Sequence, residues 1–124
     1  AFIKQLGTID ISLLSETFGN IQTSEIIITN ERLQHIYERH PEIKIYSKNM
    51  DKAGQNPDII IKDEKPRNNL YGKKLPDTNL NVVVRVVLET DEIGWKNSVM
   101  TFYRIREKNL KKLIKKNTLL YKKE

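Results

Sequence analysis

Both histidines of the chain fall in one short stretch, ERLQHIYERHPEI, residues 31–43: His35 and His40, with Arg39 between them. Imidazole is the side chain whose ordinary pKa lets it take and give protons near neutral pH. Two imidazoles this close together are candidates for acid–base chemistry, and the competing reading is two ordinary helix histidines. The chain has no cysteine, which removes disulfides, thiol catalysis and Cys-ligated zinc together. The histidines are five residues apart rather than four, and no third ligand is evident, so neither a metal site nor a cofactor is expected.

The elements that must position these residues can be read from the pattern around them. Asn30 is a good N-cap for a helix through about His40, stopped by Pro41. Along it Leu33, Ile36, Tyr37 and His40 recur at helical spacing and form one sheet-facing side. His40 is thereby expected at the core-facing edge near the helix end. His35 lies about 140° round the helix and is expected to be exposed. A short helix ending at Gly19–Asn20 and a weaker one over 44–55 complete the helical signals of the first half. Strands are expected at 24–29, 58–62, 81–88 and 98–105, with a hairpin arm around Leu70–Tyr71–Gly72–Lys73. The last two strands should pair as an antiparallel hairpin. A basic helix, with Leu110, Leu113 and Ile114 at helical spacing among lysines, is expected to end the chain. Helices first and antiparallel strands after them argue for an α+β fold.

Strand alternation adds a second cluster of polar residues. Val82, Val84, Val86 and Leu88 share one face, and Val83, Arg85 and Val87 the other; Thr101 and Tyr103 share a face, with Met100 and Phe102 opposite; Lys62 goes with Ile60. A sheet surface carrying Arg85, Thr101, Tyr103 and Lys62 would be a phosphate-binding platform with one stacking ring. The bland alternative is an amphipathic sheet with a polar outer face. Charge is unevenly spread: residues 1–64 hold 7 Lys and Arg against 10 Asp and Glu, whereas residues 65–124 hold 15 against 6, a change from −3 to +9. So basic a second half reads either as a footprint for a polyanion, most often nucleic acid, or as a solvated lysine-rich surface. No run of eighteen apolar residues and no signal peptide are visible. The first residue is Ala rather than Met, which fits a segment of a longer protein, and the sequence leaves open whether the chain is whole.

Three segments in order carry a family resemblance: ITNERLQHIYERHPEI at 28–43, NPDIIIKD at 56–63, and NSVMTFYRIREKNLKKLIKKNTLLYKKE at 97–124, with NVVVRVVLE at 81–89 filling the strand between. The chain resembles the phage-associated nuclease domains called PBECR, of the superfamily named for barnase, EndoU, colicin tRNases and RelE. Residues 25–124 bear these motifs as one domain, and residues 1–24 form an N-terminal extension that adds little to the resemblance. The resemblance implies N-terminal helices packed on a curved antiparallel sheet with a basic C-terminal helix, and a small metal-independent ribonuclease. It places the motif histidines on His35 and His40, the strand arginine on Arg85 and the late-strand threonine on Thr101, as catalytic residues.

Such enzymes let the ribose 2′-OH attack its own 3′-phosphate. The step needs a base, an acid and cations for the phosphorane charge. Arg39, Lys62, Arg85 and Lys73 are then the candidates to hold phosphate, and Tyr71 or Tyr103 to stack on a base. RNA, tRNA among it, is the expected partner, with a cognate immunity or antitoxin protein and no membrane. The expected place of action is the bacterial cytoplasm, reached as part of a phage or as a secreted toxin. A non-catalytic RNA- or protein-binding module of a phage or secreted assembly is the competing reading. A DNA-binding protein ranks below both.

Overall fold

The densest apolar patterns dictate the middle of the structure. In the computed structural model, which describes residues 3–123, the β-branched runs of the sequence become the strands β1 (Ile3–Thr8), β2 (Glu25–Thr29), β3 (Ile59–Lys62), β4 (Asn68–Lys74), β5 (Asn79–Arg85), β6 (Asn97–Ile105) and β7 (Leu119–Lys122). Four α-helices separate them: α1 (Ser15–Phe18), α2 (Asn30–Arg39), α3 (Ser47–Gln55) and α4 (Glu107–Lys116). Short 3-10 turns at Ile11–Leu13 and Pro41–Tyr46 lead into α1 and α3. The α+β class is therefore that of the structure.

All seven strands belong to one sheet in the order β1-β2-β6-β5-β4-β3-β7. The β5–β6 hairpin pairs antiparallel as its alternation requires. One pair departs from the antiparallel expectation: β2 runs parallel to β6, through Ile26 opposite Asn97 and Ile27 opposite Ser98. A parallel neighbour needs a long crossover rather than a tight turn, and here the crossover contains α2, α3 and the β3–β4–β5 meander. Residues ahead of 25 are built into the sheet: β1 pairs with β2, and Leu6, Ile9, Leu14 and Ile21 are buried.

Apolar side chains leave both faces of the sheet. On one, Ile26, Ile28, Val82, Val84 and Phe102 pack with Ile36 of α2 and with Ile43, Tyr46, Met50 and Ala53 of the following turn and α3. On the other, Ile59, Ile61, Leu70, Val83 and Ile105 pack with Leu110, Leu113 and Ile114 of α4. The apolar stripe of α4 thus meets the sheet and its lysines point away, as helical periodicity demands. The basic helix does not end the chain. Thr118 accepts the backbone N–H of Lys62 at 2.8 Å, and the following Leu119–Lys122 adds β7 to the free edge of β3.

β4 is longer than the arm around residues 70–73. Asn68, Asn69 and Gly72 are poor strand formers, but each is placed by its neighbours. Asn69 donates from Nδ2 to the Val84 carbonyl at 3.2 Å, and a side chain at Gly72 would collide with Ile59.

Candidate functional site

α2 begins one residue earlier in its capping than the sequence suggests: the Thr29 hydroxyl, not Asn30, accepts the Arg32 N–H at 3.2 Å. From there the helix buries Ile36 and packs Leu33 and Tyr37 against the core. The Tyr37 ring meets Phe102 of β6 edge-on, with centroids 6.3 Å apart, which seats α2 against that strand. Beside the apolar stripe runs a second one, Arg32, His35 and Arg39, at i, i+3 and i+7. This flank lines a cleft of about 680 Å³.

His40 reaches the same cleft by a different route. It is not in the helix: its φ of −136° and ψ of 70° make it the C-cap, with its N–H donated to the Ile36 carbonyl at 2.8 Å. Pro41 explains this, because a residue before proline is pushed out of the α region. The position expected from the helical wheel, at the buried edge, is corrected accordingly: the His40 side chain is half-exposed. Its Nδ1 lies 3.5 Å from Glu42 Oε1.

Across from the helix, β6 supplies Met100, Thr101, Tyr103 and Arg104, and β5 supplies Val83. A bulge between Val83 and Val84 shifts the register, so that Thr101 pairs with Val83 and Val99 with Val84, leaving Met100 as the extra residue. Met100 therefore lies in the cleft with Thr101 and Tyr103 instead of opposite them. Arg104 is fixed by stacking: its guanidinium sits 5.6 Å from the Tyr46 ring centroid. The Tyr46 hydroxyl in turn donates to Asp77 at 2.8 Å, and that bond, helped by burial, raises the phenol above its ordinary pKa. The β3–β4 turn closes the remaining side. Asp63 donates its N–H to the Asn68 carbonyl at 3.0 Å and Asn68 to the Lys65 carbonyl at 3.1 Å, which brings Asp63 and Lys65 to the cleft wall.

The cleft is cationic. Arg32, Arg39, Lys65 and Arg104 stand against Glu42 and Asp63. Among the described residues none of these four cations makes an ion pair within 4.0 Å. Four unpaired cations, two imidazoles, a hydroxyl and an aromatic ring around one cavity can bind an anion and move protons beside it.

Of the residues singled out from sequence, the structure brings His35, His40, Arg39, Thr101 and Tyr103 together here. It does not bring in four others. Arg85 ends β5 facing the loop that follows, where its charge helps hold the Asp91 carboxyl below the ordinary value, behind the hydrogen bonds from Arg67 and the Leu88 N–H. Lys62 shares the face of Ile60, as alternation requires, but that face is the opposite one from Thr101; its ammonium lies 5.8 Å over the Phe18 ring. Tyr71 is 1% exposed in the core and cannot stack on a ligand. Lys73 donates to the Asn56 carbonyl at 2.9 Å at the far end of β4. Arg32, Lys65 and Arg104 were not singled out. For Arg32 the i, i+3, i+7 relation to His35 and Arg39 was available as a signal. Lys65 and Arg104 owe their place to a turn and to a partner ring, which spacing does not reveal.

Fold and site together define a small α+β domain with a two-histidine cationic cleft between a helix and a bulged strand. The chain belongs to the PBECR2 family, described as phage-Barnase-EndoU-ColicinE5/D-RelE like nuclease2, whose sequence model matches residues 1–122. The family name describes nucleases of the barnase, EndoU, colicin and RelE type. Comparison with curated proteins and with solved structures gives no match. No helix among the described residues is long and apolar enough to cross a membrane.

Proposed function

We propose that this domain is a metal-independent endoribonuclease that seats an RNA phosphodiester in the α2–β6 cleft. One histidine of the pair takes the proton of the ribose 2′-OH as that oxygen attacks the adjacent phosphorus. The other donates a proton to the 5′-oxygen as the P–O5′ bond breaks. The products are a 2′,3′-cyclic phosphate and a 5′-OH. Arg32, Arg39, Lys65 and Arg104 offset the charge that builds on the phosphorane. Thr101 donates a hydrogen bond to a phosphate oxygen, and Tyr103 stacks on a flanking base. The observation that carries this reading is that His35 and His40, which helical geometry would separate, line one cavity with unpaired arginines. RNA is the substrate because the mechanism draws its nucleophile from the substrate's own 2′-OH.

In the same reading the domain is a toxin that attacks RNA, tRNA among it, in a bacterial cytoplasm, delivered on a phage particle or by secretion. A cognate inhibitor protein would present carboxylates to the cleft. The test is incubation with total tRNA in EDTA, followed by end mapping. Cyclic-phosphate ends are expected, with the rate cut ~10²–10⁴-fold by His40→Ala and by His35→Ala, the usual span for losing one proton-transfer group. Cleavage unchanged by both substitutions sinks the mechanism. RNA binding without cleavage, indifferent to both, favours a binding module instead.

A further inference from the structure

The cleft is not an isolated depression. Arg104 lines it and also lines a second concavity with Lys74, Asp77, Asn79, Arg106 and Glu107. Glu107 passes this concavity on to a third, along the outer side of α4, formed with Lys108, Lys111, Lys112 and Lys115. The helical spacing of these four lysines places them on one side over about 10 Å, opposite the stripe of Leu110, Leu113 and Ile114 that packs on the sheet. The route is contiguous below the surface as well, since Met100 and Tyr103 of the cleft pack against the cluster that α4 covers.

Charge along this route is net positive, with Asp77 and Glu107 as its acids. Asp77 accepts from Tyr46, and Glu107 accepts from Asn79 Nδ2 at 2.7 Å, neutral donors that orient the carboxylates and leave them charged. Arg106, Lys108, Lys111, Lys112 and Lys115 are exposed, and among the described residues none of them makes an ion pair. Among the described residues the ion pair on α4 is that of Lys116, next after Lys115, with Glu64. An amphipathic helix with a merely solvated surface would carry acids among its lysines, and this one has Glu107 alone, at its first position.

We infer that the Arg104–Arg106–α4 route is a backbone-reading track for the RNA strand flanking the scissile phosphate. The substrate is then a polynucleotide extending several nucleotides from the cut, held by its phosphates without regard to sequence on that side. This rests on the ribonuclease reading of the cleft. The track sets KM and leaves the chemical step to the cleft, so long and short substrates separate the two. A dinucleoside monophosphate fills the cleft and never touches α4.

The experiment compares wild type with the triple variant Arg106→Gln/Lys108→Gln/Lys111→Gln. The first arm measures binding of a fluorescent 2′-O-methyl RNA 20-mer, which lacks the attacking hydroxyl, across salt concentrations. Three phosphate contacts on a single strand correspond to a slope of log Kd against log salt smaller by about 2, and to an affinity loss on the order of 100-fold at 0.1 M salt. The second arm measures kcat and KM for an unmodified 20-mer and for a dinucleoside monophosphate. A raised KM for the 20-mer, with kcat and dinucleotide cleavage unchanged, supports the track. An unchanged salt slope, or an equal effect on both substrates, overturns it. If neither substrate is cleaved by wild type, the ribonuclease reading fails, and the binding arm still decides whether α4 holds RNA.

Discussion

Asn97 is fully buried at the start of β6, and its side chain makes three hydrogen bonds to backbone. Nδ2 donates to the carbonyls of Thr23 at 2.7 Å and Glu25 at 3.0 Å, and Oδ1 accepts the Val87 N–H at 2.9 Å. These bonds tie together the two strands that meet in parallel and the segment after β5. Asn97→Ala removes all three bonds, leaving the buried Val87 N–H and the part-buried Thr23 and Glu25 carbonyls without this partner, each a loss of about 1 kcal/mol, for a total of about 3 kcal/mol. In a domain of this size that lowers Tm by about 10 °C. Asn97→Asp should be at least as damaging at pH 7, because it keeps the acceptor and turns a carboxylate oxygen toward two carbonyls. Differential scanning calorimetry on both variants checks this. A melt of Asn97→Ala within about 2 °C of wild type would refute the reasoning that this side chain fastens β2 to β6.

Three further outcomes are expected. Stability should fall below about pH 4: the Asp91 carboxyl is held low chiefly by its hydrogen bond from Arg67, so the stabilisation is present above the unfolded carboxylate pKa and lost as pH drops through the folded one; thermal melts against pH should show this dependence weakened in Asp91→Asn. The Tyr71 hydroxyl is buried without a hydrogen-bond partner among the described residues, and burial pushes its pKa up, so Tyr71→Phe should match or exceed the wild-type unfolding free energy by up to about 1 kcal/mol in denaturant melts, where a loss above that would show a missed partner. In the RNA cleavage assay Arg39→Ala should cost about tenfold or more, as loss of a charge-assisted contact does, while Arg85→Ala, outside the cleft, stays within a few-fold; the reverse order would move the phosphate site to the end of β5.

Legibility in the sequence followed how local the cause was. The β5–β6 hairpin and the apolar face of α2 were readable because alternation and helical spacing are set by the residues themselves. Pro41 already signalled that His40 leaves the helix, but a helical wheel extended through residue 40 overrode it. The bulge that turns Met100 into the cleft depends on register against β5, and the parallel β2–β6 pair depends on a crossover through half the chain, so neither has a local signature. β4 was hard to see because Asn68, Asn69 and Gly72 are there for what they touch. The pairing of Lys62 with Arg85 and Thr101 failed because alternation within a strand says nothing about which face of a neighbouring strand is the same one.

The parallel pair also governs when the cleft can exist. One wall comes from residues 32–43 and the other largely from 100–104, and Ile26 and Ile27 meet Asn97 and Ser98 across the crossover that holds α2, α3 and the β3–β4–β5 meander. Contacts between such distant parts of a chain form late. A chain still emerging from a ribosome, or threading through a narrow channel, carries its histidines on a helix that has nothing opposite it. Whatever the cleft does is therefore withheld until nearly the whole domain has been made or has crossed, a delay set by strand order alone.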